Sequence, residues 1–293
     1  WAKMPERVGC DVGYRQAGIM FIGRNDTQMG MHESWLKSIE HLGLDSRLLS
    51  NKEIANKVPG GRADWAGGIY TASDARAEPW MAVPTLVQGA ITRGAVVVEH
   101  CAVRSLDLAA GRIAGVITEQ GRIACDQVVV AGGAWSSLFL RAHGVQIPQL
   151  AVLASVAATE PMAEIFPGNA CDDDFAFRRR QDGGYSIAPG AGHDFFIGPD
   201  AFRNVAAYLP VLKKDFRSTH FRPAAPAGFP DAWGTARRWS PDGPSPFERI
   251  RVLNPTPNMQ TIARTQDAFG AAFPGLGRPR LRAAWGGKID TMP

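Results

Sequence analysis

Asp126-Gln127-Val128-Val129-Val130-Ala131-Gly132-Gly133-Ala134-Trp135-Ser136-Ser137 is the stretch whose reading decides the fold. Val128–Ala131 is apolar at consecutive positions, as in a strand buried on both faces, and the two glycines hand over to a short helical stretch, Leu138–His143. A strand, a glycine turn and a helix start therefore follow in succession. Small residues at such a turn let a ligand approach the backbone, and the helix start offers free N–H groups to an anion. The same glycines also serve simply to make a sharp turn, and the local pattern leaves both readings open. No GxGxxG occurs: Gly190-Ala191-Gly192 and Gly275-Leu276-Gly277 lack the third glycine and the preceding strand, so a complete dinucleotide fingerprint is absent.

Working upstream, Val96–Val98, Ala102–Leu108, Ile113–Thr118 and Ile123-Ala124 are β-branched runs separated by turn residues at Ala110-Gly111 and Gly121, which predicts strands joined by hairpins. Before them, Glu78-Pro79 opens a helix with an apolar face through Met81, Leu86, Val87, Ala90 and Ile91. Gly67–Pro79, rich in glycine and small polar residues, predicts an extended loop. Ser50-Asn51-Lys52-Glu53 is a capping box starting a short helix. The spacing of Met31, Trp35, Leu36, Ile39 and Leu42 predicts an amphipathic helix over 27–42, and Gly13–Gly23 a strand or hairpin arm.

Downstream, Pro148–Pro161 predicts an apolar strand and Phe175–Pro189 a hairpin turning at Gln181–Gly184. A helix from about Asp200 to Phe216 follows, then long connections between His220 and Pro257 with one buried strand. The chain closes with a helix over Met259–Phe273 and a strand Arg280–Trp285 that ends at Gly286-Gly287.

The 293 residues are 45% hydrophobic and 20% charged, with 32 basic against 28 acidic side chains and a net charge of +4. These proportions describe a globular domain or two, and exclude disorder and long membrane spans. The basic excess is scattered, which argues against nucleic acid. Cys10, Cys101, Cys125 and Cys171 lack metal-ligand or redox spacing and read as buried, reduced thiols of a cytoplasmic protein; no metal site is expected.

Taken in order, GGIYTASDARAEPW, VVVEHCAVRSL, GRIAGVITEQGRIACDQVVVAGGAWSS and LRAAWGGKIDTMP resemble the FAD-dependent oxidoreductases of the D-amino-acid oxidase family, which includes glycine oxidases and sarcosine oxidases. The resemblance implies an α/β fold in which an incomplete FAD-binding domain, 68–147 and 281–293, interleaves with a substrate domain of mostly antiparallel sheet plus helices, 10–67 and 148–280. Family members open with a GxGxxG unit that grips the FAD pyrophosphate and close with a further flavin-binding segment. The chain shows neither, so it reads as a fragment expected to bind FAD poorly on its own.

The resemblance places Val103 beside the adenine, and Ala131, Gly132, Gly133, Ala134, Trp135 and Ser136 along the diphosphate and ribityl chain. It places Gly286 and Gly287 near the flavin ring, with Lys288 and Ile289 where some relatives carry a carboxylate-binding arginine. It implies oxidation of the C–N bond of an amine or amino acid to an imine by hydride transfer to flavin, with oxygen or an electron carrier as the second substrate. The alternative is a non-catalytic module that keeps the fold without cofactor.

From the residues themselves, Arg178 and Arg180 fall on one face of the predicted hairpin and Arg179 on the other. An arginine on the inner face would hold a carboxylate bidentately, while one on the outer face is a solvated strand edge. Tyr185 either donates a hydrogen bond into a pocket or packs in the core. His193 and His220 are the candidates for proton handling. No acid–base dyad is evident, so no catalytic residue is named.

Overall fold

The computed structural model describes residues 1–215 and 218–293, and the chain folds into two compact units. One comprises 1–97, 155–191 and 258–284; the other comprises 98–154, 192–257 and 285–293. The architecture is mixed α/β.

In the first unit the sheet runs in the order Leu150–Thr159 (its 155–159 half), Tyr185–Ala188, Ala176–Arg179, Asn169–Cys171, Ile19–Gly23, Gly67–Thr71 and Ser46–Ser50. All these neighbours are antiparallel except Asn169–Cys171 and Ile19–Gly23, which run parallel. The hairpin forms as expected, with Arg179 opposite Tyr185 and Ala176 opposite Ala188. Its alternation sends Phe177, Tyr185 and Ile187 into the core, where Ile262, Phe269 and Phe273 of the helix Met259–Ala272 and the residue after it meet them. Phe269 is fully buried, and its ring centroid lies 5.5 Å from Phe175, 6.0 Å from Phe177 and 4.9 Å from Phe273. Beside this core the fully buried carboxylate of Asp172 accepts from Arg24 Nη2 at 2.7 Å, Trp65 Nε1 at 3.1 Å and the backbone N–H of Asp174 at 2.9 Å. That set of donors offsets the desolvation of a buried charge.

The expected loop at Gly67–Pro79 is instead a strand, Gly67–Thr71, lying between Ile19–Gly23 and Ser46–Ser50. Its glycines are packing residues: a Cβ on Gly68 would come 2.6 Å from Phe21 O, and one on Gly67 2.7 Å from Leu49 O. The capping box holds, with Ser50 and Glu53 closing both bonds at the start of Asn51–Lys57. The amphipathic helix spans Asp26–Ile39 with a 3₁₀ turn to Leu42, but it buries no residue; Met31, Trp35 and Leu42 are exposed. Its half-buried positions Met29, Leu36 and Ile39 turn towards the sheet, with Met29 packed at Gly23 and Gly67. The helix Pro79–Ile91 likewise exposes Trp80, Val83, Val87 and Ile91 along one side.

In the second unit Val103–Ala109, Arg112–Thr118 and Gly121–Ala124 form an antiparallel sheet. Its first hairpin turns at Ala110 (φ 50°) and Gly111 (φ 76°), the left-handed pair that a two-residue turn requires. The 150–154 half of Leu150–Thr159 pairs with His193–Phe196, which in turn pairs with Thr219–Arg222. The strand Leu281–Thr291 continues through Gly286-Gly287, where the sequence predicts an end. The helix expected over 200–216 is two helices, Pro199–Arg203 and Val205–Asp215, interrupted at Asn204; Phe216 lies outside the described residues. Among the described residues of the 220–257 stretch, the strand at its start is an edge strand with mostly exposed side chains, not a buried one.

Two predicted strands do not form. Val96–Val98 and Val128–Ala131 have no ladder partner among the described residues, and Val96 and Val129 are 86% and 90% exposed. An apolar run becomes a strand only when another strand accepts its hydrogen bonds, a condition that sequence patterning cannot supply. The cysteines are unpaired, and none is buried as expected: Cys10 is exposed and Cys101, Cys125 and Cys171 are half-buried.

Because Phe269 is enclosed by aromatic rings that cannot collapse into its space, Phe269→Ala is expected to lower stability by about 3–5 kcal/mol. Urea denaturation of the full-length protein followed by circular dichroism checks this, and a loss below about 1 kcal/mol contradicts the packing described.

Candidate cofactor groove and anion site

Residues 128–136 sit in the second unit as a run without regular structure, a 3₁₀ turn over Gly133–Trp135, and the start of the helix Ser136–Ala142. Gly133 adopts φ 52°, and a Cβ there would meet nothing within 4 Å; one on Gly132 would meet Ser136 Oγ at 3.4 Å and Trp135 Cβ at 3.7 Å, ordinary contacts. The backbone of the turn is thus bare on its outer side. A groove of about 270 Å³ runs beside it, walled by Val103, Val128–Gly132, Trp135 and Phe247.

Gln149 fixes the inner side of the turn. Its Oε1 accepts from Ser137 N–H at 2.8 Å, and its Nε2 donates to Gly133 O at 3.0 Å and Asp290 Oδ2 at 3.1 Å. Trp135 precedes the helix and provides no side-chain cap, so this distant amide satisfies a first-turn N–H that a Ser or Asp would ordinarily bond.

Phe247 reaches the groove from the helix Pro246–Arg249, whose start is a Ser245–Glu248 capping box. Its ring lies 5.4 Å from Trp135 and 5.2 Å from Trp239. Glu248 meets Arg104 through two bonds, Nε to Oε1 at 2.8 Å and Nη2 to Oε2 at 2.9 Å. Chiefly because of this guanidinium, and then of the Ser245 donors working against partial burial, the Glu248 carboxyl is held at about 2 rather than 4.5. Sequence reasoning missed both Gln149 and Phe247. Ser245-Pro246-Phe247-Glu248 carries a readable capping signature, whereas nothing local to Gln149 marks its role.

Gly286 is buried against Pro255, whose carbonyl oxygen would lie 2.6 Å from an added Cβ, so packing explains it; Gly287 is open. Lys288 is not aimed at a substrate. Its side chain is 1% exposed, and Nζ sits 2.5 Å from Asp231 Oδ2 and 5.0 Å from the Phe196 ring centre. The pairing keeps a buried ammonium from being left without a counter-charge.

In the first unit Arg178 rises from the sheet face opposite the aromatic core. That face is lined by Ile19, Phe21, Val156, Ala176 and Ala188 and bounds a shallow space of about 380 Å³. Arg178 donates to Ala77 O at 2.7 Å and Ser186 Oγ at 3.3 Å, and lies 3.4 Å from Glu78 Oε2. Arg76 reaches the other oxygen of Glu78 at 3.3 Å. Two guanidinium groups share one carboxylate, which leaves a positive surplus beside an apolar face.

The remaining candidates are committed elsewhere. Arg180 lies beyond the strand end and pairs with Asp182, so it does not share the face of Arg178 as strand alternation predicts. Arg179 donates to Met162 O at 3.1 Å and covers the Tyr185 ring. Tyr185 is fully buried, with its hydroxyl accepting from Ile165 N–H at 2.8 Å and donating to Phe166 O at 3.1 Å, so it is a core residue and not a pocket donor. His193 Nε2 lies 3.2 Å from Thr219 Oγ1, and His220 lies 4.0 Å from Asp194. No group of His, Cys, Asp and Glu among the described residues could hold a metal ion, and none of the described helices is long and apolar enough to cross a membrane.

An open glycine turn beside a walled groove leaves room for an extended ligand against the backbone. The model of the FAD dependent oxidoreductase (DAO) family matches residues 1–293, and the chain belongs to that family. It is 31% identical over 163 residues to the mitochondrial sarcosine dehydrogenase of Mus musculus, covering 54% of this chain and 18% of that protein. It is 25% identical over 261 residues to the D-amino acid dehydrogenase of Rhodopseudomonas palustris, covering 84% of this chain and 58% of the relative. Among solved structures, L-amino acid deaminase from Proteus myxofaciens in complex with anthranilate superposes with a TM-score of 0.91 at 25% identity, covering all of this chain and 66% of that one. The chain thus spans less than two thirds of the length of each of these relatives.

The Arg104–Glu248 pair generates a pH prediction. A carboxyl held at about 2 when folded, against 4.5 ordinarily, stabilises the segment fully above about pH 4.5 and loses that contribution as pH falls towards 2. Tryptophan fluorescence is expected to change across that window; Glu119, Glu53 and Asp11 are also held at about 2, so Glu248→Gln should reduce the acid-dependent change without abolishing it.

Proposed function

We propose that the protein is an FAD-dependent oxidoreductase that oxidises the C–N bond of an amine or amino acid. The observation that carries this reading is the bare backbone at Gly132-Gly133 beside its groove, in a chain whose every residue falls within the family match. The residues fit the cofactor: a Cβ on Gly133 would meet nothing within 4 Å, and Val103, Trp135 and Phe247 supply an apolar wall to the groove beside it. Ala131–Ser136 would hold the diphosphate and ribityl portion, Val103 the adenine side, and Gly286 and Gly287 the ring side.

When bound, the flavin supplies the acceptor for a hydride leaving the carbon next to the amine nitrogen, and water hydrolyses the resulting imine. The protein's own residues bind and orient. Gln149 keeps the turn in one conformation, so the groove needs no rearrangement to receive a ligand. Arg178 takes the substrate carboxylate, its charge only partly met by Glu78 and its neighbours apolar, which strengthens a charge-assisted bond. The division into an FAD-binding part and a substrate part belongs to the same proposal, as does a reducing, cytoplasmic setting, which four unpaired cysteines suit. Oxygen or an electron carrier would take the electrons onward.

The test is the full-length gene product. Purified protein is expected to show the visible absorption bands of bound flavin, bleached anaerobically by glycine, sarcosine or another amino acid. Admitting oxygen then separates an oxidase, which recovers its colour at once, from a dehydrogenase. Soluble, folded protein without flavin bands would establish a non-catalytic module. Arg178→Leu is expected to raise KM for carboxylate-bearing substrates by about 10–100-fold, the weight of a charged hydrogen-bonded contact, with a smaller change in kcat.

A further inference from the structure

In the second unit the strand Val103–Ala109 is the edge of its three-stranded sheet, with a strand partner on one side only among the described residues. Two side chains meet main-chain groups that the ladder leaves over. Trp239 Nε1 donates to Arg104 O at 2.7 Å, and Leu106 N–H donates to His143 Nε2 at 3.3 Å. His143 directly follows the helix Ser136–Ala142, and its imidazole lies 5.0 Å from the ring of Phe139, one turn back. Phe139 stands 5.8 Å from Phe247, and Phe247 stands 5.2 Å from Trp239. The two residues that hold the strand edge are thus joined by a chain of rings, and Phe139 and Phe247 also wall the groove beside the glycine turn.

That groove has one side from the sheet, Val103 and Val116, and another from the turn and helix, Trp135, Ser136 and Phe139. Leu106 sits opposite Val116 in the ladder. The bond from Leu106 N–H to His143 therefore ties the first side to the second. Accepting it places the imidazole proton on Nδ1. An imidazolium carries donors on both nitrogens, so protonation sets two N–H groups against each other and leaves Leu106 N–H without an acceptor. The charged groups on the elements packed around the ring are paired or exposed: Arg104 meets Glu248, Asp107 meets Arg122 and Arg141 meets Asp200, while Arg238 and Arg249 are exposed. Burial alone pushes the His143 imidazole below its usual 6.5.

We propose that His143 is a positioning residue for the cofactor: acting through the Leu106 backbone, its neutral imidazole holds the two sides of the groove together, and its protonated form releases them. The identity of the ligand rests on the oxidoreductase reading above; the clasp itself does not. The neutral form is fully present above pH 6.5, and the clasp is lost as pH falls below that and through the lowered value. The groove thus grips the dinucleotide at neutral pH and loosens on acidification.

The full-length protein, freed of flavin, is titrated with FAD at about pH 8 and about pH 5.5, on either side of an ordinary imidazole's titration, as wild type, His143→Gln and His143→Leu. The wild-type dissociation constant is expected to rise about fivefold or more on acidification, the order that one lost hydrogen bond gives. His143→Gln, whose amide oxygen reaches the place of Nε2 and does not titrate, should bind as the wild type does at the higher pH and keep that affinity at the lower. His143→Leu has no acceptor and should bind weakly at both. The same pH dependence in wild type and His143→Gln, or wild-type affinity in His143→Leu at the higher pH, overturns the proposal. Deuterium uptake by residues 103–109 of the three flavin-free proteins, compared at the higher pH, keeps the two readings apart. Faster uptake in His143→Leu but not in His143→Gln, in protein that takes up no FAD, sinks the cofactor reading and supports the clasp. Equal uptake in all three, with FAD bound normally, sinks the clasp and leaves the cofactor reading standing.

Discussion

The side-chain amide of Gln149 is the interaction on which the cofactor groove depends. It is 6% exposed, and each of its polar atoms is engaged: one acceptor on the Ser137 N–H, and one nitrogen shared between Gly133 O and Asp290. A turn held by its own backbone would need those groups for itself. Here the inner surface is satisfied by the residue just ahead of the next strand, and the outer side of Gly133 is left open. Asp290 draws the strand Leu281–Thr291 into the same clasp, so the geometry of the turn is linked to that of two strands remote in sequence. A buried amide with all its bonds made is rigid, and removing it would leave several polar groups without partners at once.

The first unit solves a different problem. Its hairpin puts Phe177, Tyr185 and Ile187 into an aromatic core and Arg178, Ser186 and Ala188 on the opposite face, so one strand pair both closes the core and presents a cation. The aromatic packing around Phe269 fixes the sheet, and a fixed sheet holds Arg178 against Glu78 and Ala77 without relying on a loop.

What could be read in the sequence was whatever is decided locally. The hairpins between Val103 and Ala124 follow from β-branched runs and the Ala110-Gly111 turn, and the Ser50–Glu53 box follows from four adjacent residues. The order of motifs along the chain was enough for the family. What could not be read depends on partners far along the chain. Gly67–Thr71 looks like a loop because glycine is a poor strand residue, yet neighbouring backbones approach so closely there that only glycine fits. Arg180 lost its expected face because the strand ends one residue earlier, and Lys288 lost its expected role because Asp231, fifty-seven residues away, claims it. Gln149 had no signature at all: a glutamine ahead of an apolar strand is unremarked until its three partners are in place.

The valines at 128–130 also bear on how the molecule behaves among other chains. They have no ladder partner among the described residues, and Val129 presents nearly its whole side chain to water. An unpaired apolar run of this kind is indifferent to the identity of the strand that docks on it, because main-chain donors and acceptors read no side chains. Correct assembly then becomes a race decided by local concentration, with a tethered strand favoured over a stranger in dilute solution and identical edges favoured over both when molecules crowd together.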